Sequence, residues 1–279
     1  MEHPTDSRTY VLTGGTSGVG LGVLRGLAAP DVRLFSLCRN EERGRAAAEG
    51  LPGTVEVVAC DLSSPASVEA AAAAISERAP SLDGLVSCAG VAPWNRTTTP
   101  AGTEVTWATN VLGTHRLERA LLPQLERGAP SRVVIIAGDA HRKGRIHWDD
   151  PELQDNYSPM RAGTQSVLAK IMLTNALSRR MEGTGVTANT FCPAFVKSGL
   201  TRGYPGFLQP FIRLGHLFAQ TPEQGARTPL WLVQSPDVEG LTGRFFRHCA
   251  ERATSAAARD GSAQERLFEL VERATPTLE

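Results

Sequence analysis

The sequence predicts an α/β fold: a doubly wound parallel sheet in three αβα layers, forming a single domain over residues 1–279 with a small helical flap. Three observations predict it. Short β-branched runs alternate with longer helical patterns along most of the chain, the signature of β-α-β units. The first of these runs leads through a glycine-rich turn into a helix. No internal repeat or Gly/Ser/Pro-rich linker divides the 279 residues, a length at which α/β chains often remain one domain.

The elements follow in order. TYVLT (9–13) is the first strand, with a helix from Gly18; VRLFSL (32–37) precedes a helix at EERGRAAAEG (41–50). VEVVAC (55–60) precedes an Ala-rich helix after Pro65, whose EAAAAAI run keeps helical spacing and suits close packing on a sheet. DGLVSC (83–88) leads to a helix over 103–126, SRVVIIAG (131–138) to a long helix over 162–181, and GVTANTF (185–191) closes the alternation. Over 198–220 the pattern breaks into GYPGFLQPFIRLGHLF, an apolar flap, before a new helix starts at TPEQGA. The remainder, 221–279, reads as a helix, a strand and a tail.

Charge narrows the function classes. There are 29 basic and 29 acidic side chains, so no bulk field favours nucleic acid or an anionic membrane, and a small-molecule partner is expected. The five cysteines are odd in number, widely spaced and without a C-x-x-C pair. They read as thiols of a reducing, cytoplasmic compartment, with no zinc site. No segment approaches the roughly 20 apolar residues that span a bilayer, and no signal-peptide core precedes the first strand.

TGGTSGVG (13–20) lies between the first strand and the first helix, where glycines let a backbone approach a diphosphate and a helix N-terminus offers N–H groups. The turn in this context makes the sheet Rossmann-type. The second strand ends at Cys38 and Arg39, where selection of NAD would place a carboxylate; a guanidinium matches a 2′-phosphate instead and predicts NADP(H).

With these pieces, the chain resembles the short-chain dehydrogenase/reductase family, and within it the retinol-dehydrogenase-like branch. Further matching segments are CDL (60–62), SCAG (87–90), TNVLGTH (109–115), GRIHWDD (144–150), AGTQS (162–166), GVTANTFCPAFVKS (185–198) and TPEQGARTPLWL (221–232). The resemblance implies diphosphate contacts from Gly14, Thr16, Ser17, Gly18, Val19 and Gly20, with Arg39 at the 2′-phosphate. It places Asp61 and Leu62 beside adenine, Ala89 and Gly90 at the ribose, and Pro193, Val196 and Ser198 on the cofactor, with Ser198 near the carboxamide. Asn110 falls on the family's structural asparagine, the one candidate catalytic residue retained, and the helices over 103–126 and 162–181 would form a homodimer seam.

The family's catalytic Tyr and Lys, four residues apart on one helix face, fall on Gly163 and Val167, and its strand-five Ser falls on Gly138 or, one residue earlier, Ala137. Tyr157 with Arg161 imitates the Tyr-x-x-x-base spacing but lies well before the catalytic position; His141, His147 and Thr164 read as structural, and Lys170 as a solvated or helix-pairing lysine that could approach the ribose only if its long stem bent back. The expected function is an atypical NADPH-dependent ketoreductase. Its substrate would be a bulky aromatic or conjugated carbonyl of polyketide-like secondary metabolism, which brings its own proton or takes one from water. A non-redox enzyme on the same fold (cyclase, isomerase or dehydratase) and a noncatalytic NADP-binding protein are the alternatives.

Overall fold

The computed structural model describes residues 7–193, 196, 204–210, 214 and 219–276. Strands β1 (Arg8–Thr13), β2 (Val32–Cys38), β3 (Thr54–Ala59), β4 (Gly84–Ser87), β5 (Ser131–Ile136), β6 (Val186–Cys192), β7 (Phe245–Arg247) and β8 (Ala250–Glu251) form one sheet in the order β3-β2-β1-β4-β5-β6-β7-β8. All pairings are parallel except that of β7 with β8. The strand order reverses between β1 and β4, and ligands of such sheets bind in the crevice at the carboxyl ends beside that reversal.

Alternation along the strands builds both faces. On one side Val11, Phe35, Leu85 and Val133 meet α3 (Pro65–Arg78) and α5 (Thr114–Arg127) through Val68, Ile75, Leu117 and Leu121. On the other, Tyr10, Leu12, Leu34 and Val86 meet α1 (Gly18–Leu27) and α7 (Pro222–Gln234) through Val23, Leu24, Ala226 and Val233. Helix α2 (Glu41–Ala48) follows β2 and is capped by the Asn40 side chain, which accepts from the Arg43 N–H at 2.8 Å.

The expected helix over 103–126 is interrupted. A short α4 (Val105–Trp107) passes through a π-turn (Ala108–Gly113) into α5, and that turn carries Asn110. Helix α6 (Pro159–Arg180) starts where Ser158 accepts from the Arg161 N–H and Pro159 presets the first turn. The helix start read at TPEQGA is a capping box, with Thr221 and Gln224 exchanging side chain and backbone bonds at 3.2 and 3.0 Å.

After β8, the short α8 (Ala256–Arg259) leads into α9 (Gly261–Ala274). Leu267 and Val271 of α9 are fully buried against Trp107, Val111, Ile171 and Met172. Polar contacts lock its edges: Glu272 bonds His115 at 2.5 Å and Arg119 at 3.0 Å, and Arg179 bonds Gln264 at 2.6 Å. The His115 hydrogen bond is the main force that holds the Glu272 carboxyl down to about 2. The chain's own C-terminal helix therefore lies on the face of α5 and α6 along which a homodimer seam was expected. No helix among the described residues is long and apolar enough to cross a membrane.

Candidate active site

The glycine turn needs its glycines for space. A Cβ on Gly20 would sit 2.1 Å from the Gly14 carbonyl oxygen, and one on Gly14, whose φ is +78°, 2.8 Å from the Ala89 nitrogen. The turn thus presses β1 against the loop after β4, and the Thr13 hydroxyl accepts from the Ala89 N–H at 3.1 Å. Thr16 and Ser17 lie half-buried on its rim, and Ser17 caps α1 through backbone alone, which leaves its hydroxyl available. No acidic side chain stands in the first turn of α1. The Val19 side chain is core, so its contribution is the helix-start N–H. Beneath Gly15 the Ser36 hydroxyl is buried without a hydrogen-bond partner. The close backbone packing that these two glycines allow, the start of α1 with no acidic side chain and the unbonded Ser17 hydroxyl suit a diphosphate.

At the end of β2 Arg39 is exposed, and no ion pair or hydrogen bond engages its guanidinium among the described residues. Asp61 turns its carboxylate onto Ser63, accepting from that residue's N–H at 2.9 Å and hydroxyl at 2.8 Å. Leu62 is only 6% exposed and packs into the core, so its side chain is less available to an adenine than expected. Ala89 and Gly90 rise to the surface of the crevice. Pro193 is half-buried beyond β6, and Val196 is buried, bridges Gln220 and packs on Gly225. Ser198 lies outside the described residues.

Asn110 is committed to architecture. Its carbonyl oxygen accepts from the Val91 N–H at 2.9 Å, and its amide donates to Val91 O at 2.9 Å and to the Ser166 hydroxyl at 3.2 Å. It ties the loop after β4 to α6.

From Ala162 to Ser178, α6 is buried throughout except at Gly163, Val167 and Asn175. Gly163 and Val167 therefore share the face turned to the crevice, as positions i and i+4. A Cβ on Gly163 or on Gly138, which follows β5, would meet nothing within 4 Å. The space is open, and none of the three residues can move a proton.

Nearby polar groups are mostly tied to the protein, although the buried His141 Nε2 has no hydrogen-bond partner. The Tyr157 hydroxyl donates to Pro93 O at 2.9 Å, and burial raises its pKa. His141 is fully buried, bonds Gly138 O through Nδ1 and meets the Phe245 ring edge-on; burial lowers its pKa. Thr164 donates to Met160 O at 2.8 Å. His147 is half-buried, with Arg161 3.5 Å from Nε2.

Lys170 overturns its expected reading: it is 6% exposed. The groups acting on it are Glu118 of α5, itself 5% exposed, and Cys88 at the end of β4. Desolvation brings Lys170 down to about 8 and pushes Glu118 up to about 8 and the Cys88 thiol to about 12. Reading the sequence missed this group because nothing in the local pattern marks position 170 or 118 as buried. It also missed the aromatic contact at the crevice mouth, where Trp94 meets Tyr204 of the flap edge-on with centroids 5.2 Å apart. Among the described residues no group of three His, Cys, Asp or Glu is arranged to hold a metal ion.

Known proteins resemble the chain in sequence and fold. The short chain dehydrogenase family model matches residues 8–205. The chain is 39% identical to dehydrogenase/reductase SDR family member 13 of Bos taurus, over 94% of this chain and 71% of that protein. It is 33% identical to retinol dehydrogenase 14 of Mus musculus, over 95% and 85% respectively. Among solved structures, an uncharacterized protein from Mycobacterium paratuberculosis superposes with a TM-score of 0.81 at 28% identity, covering 99% of this chain and 96% of that one.

Proposed function

The chain belongs to the short-chain dehydrogenase family of oxidoreductases, and from that premise we propose that it is an NADPH-dependent carbonyl reductase whose substrate or solvent supplies the proton. One observation carries this reading: the crevice face of α6 presents Gly163 and Val167, with open space at Gly163 and Gly138, where a reductase needs an acid. When bound, the nicotinamide nucleotide supplies the hydride.

The protein's own residues do the rest. The 14–20 turn and the start of α1 hold the diphosphate, and Arg39 takes the 2′-phosphate, which favours NADP(H) over NAD(H). Asn110 fixes the 91 loop against α6, and the Trp94–Tyr204 contact covers the crevice mouth and excludes water. An oxyanion formed there lacks a protein acid, a deficit of roughly 100- to 10,000-fold in rate. A substrate with a hydroxyl bonded to its carbonyl, or one whose reduced anion is delocalised, offsets that deficit.

The vacated, apolar space suits a bulky conjugated carbonyl. The retinol dehydrogenase relative favours a conjugated polyene within this class, and the aromatic, polyketide-like compounds of secondary metabolism are the second candidate. Action in the cytoplasm rests on cysteine usage alone.

The test is NADPH consumption by the purified protein with hydroxylated quinones, aryl ketones and retinal. Turnover that persists in Tyr157→Phe supports the reading. Tight NADPH binding without turnover on any of them turns the assignment to a non-redox enzyme or a nucleotide-binding protein, and loss of turnover in Tyr157→Phe with binding intact makes Tyr157 the acid.

A further inference from the structure

Helix α6 runs from the carboxyl edge of β5 back to the start of β6, so its first half lines the crevice and its second half descends along the sheet. Residue 170 lies seven positions after Gly163. Two helical turns leave it only about 20° from that residue's direction, on the same face and deeper. Side chains on a helix tilt toward its N-terminus, so a lysine here extends upward, toward the level of Val167. Glu118, in the second turn of α5, stands just below the carboxyl edge of β4, where Cys88 begins the loop to Ala89 and Gly90.

Two ionisable side chains, each more than nine-tenths buried, face one another here, and no hydrogen bond or ion pair joins them among the described residues. That is costly for a purely structural pair, which stabilises only through direct contact. An ammonium group so placed has three donors and needs acceptors. The loop that faces it, 88–90, is the one assigned to the ribose.

We propose that Lys170 is a further cofactor-holding residue, donating from below Val167 to the ribose hydroxyls of the bound nicotinamide nucleotide, with Glu118 as its positioning residue. The proposal rests on the reading that NADPH occupies the crevice. It gives the site a cation that Val167 cannot supply, reached from one helical turn deeper. The charged and titratable groups that face the ammonium are Glu118 from α5 and Cys88 from β4. Because burial brings Lys170 down to about 8, the ammonium form is lost as pH rises through that value, and NADPH affinity falls with it.

The experiment measures the NADPH dissociation constant by tryptophan fluorescence across this pH range, for the unmodified chain and for Glu118→Met/Lys170→Met. Replacing both charges together avoids stranding one of them in the core. At neutral pH the variant should bind NADPH at least about tenfold more weakly, as expected for a lost bond from a charged donor. It should also lose the affinity change near pH 8, and Val167→Lys in the same background should restore binding. Equal affinity and equal pH dependence in both proteins overturn the proposal while leaving NADPH as the cofactor. Absence of saturable NADPH binding by the unmodified chain overturns both readings. Should the variant not fold, the unmodified chain decides alone: an affinity flat through pH 8 contradicts the role of Lys170, and a fall supports it.

Discussion

Gly163 and Arg39 each put a question of chemistry at a single position. A glycine with open space around its missing Cβ, inside a largely buried stretch of α6, leaves a void where an acid would act. An exposed arginine at the end of β2, with no partner among the described residues, leaves a charge open to an anion. Arg39→Asp should weaken NADPH binding at least about tenfold and bring NADH affinity level with it or above, since a carboxylate repels a 2′-phosphate and accepts from ribose hydroxyls. Unchanged NADPH affinity in this exposed-site variant would remove Arg39 from the cofactor site. These residues were legible because spacing from a glycine turn or a strand end fixes where they lie. Lys170 and Glu118 were not, since a lone lysine or glutamate in a helix reads as solvated until packing covers it. At Leu62, expected beside adenine, the side chain packs inward, which the local sequence does not show.

At the scale of elements, the β-α alternation placed the six strands from β1 to β6 and the helices between them, and the capping box at Thr221 announced α7, while α9 lay in what read as a tail. The π-turn between α4 and α5 escaped notice because one extra residue in a helix leaves almost no trace in hydrophobic period. The contact between α5 and α6 carries a pH signature of its own. Glu118, raised to about 8 from an ordinary 4.5, contributes stability that is complete below 4.5 and lost as pH rises through about 8. Lys170, lowered to about 8 from 10.5, contributes stability that is complete above 10.5 and lost as pH falls through about 8. Both contributions are at their lowest together near pH 8. The Tm of Glu118→Met/Lys170→Met, compared with that of the unmodified chain, should therefore gain most near pH 8 and less toward either extreme. A Tm difference constant with pH would show that the two groups carry no burial cost.

For the whole molecule, the sheet and its flanking helices were readable, but the C-terminal end was not. Residues after the last strand read as a tail, whereas they form helix α9 across α5 and α6; that follows from Leu267 and Val271 finding Trp107 and Met172, and from Glu272 finding His115. The same architecture keeps a dinucleotide cradle at one end of the crevice and empties the other of acids. The central claim is that this enzyme aligns hydride donor and carbonyl while the proton comes from elsewhere. It is tested most directly by initial rates of NADPH oxidation with two aryl ketones that differ only in a hydroxyl hydrogen-bonded to the carbonyl. The hydroxylated ketone should react about 100-fold faster or more; equal rates would contradict a proton supplied by the substrate.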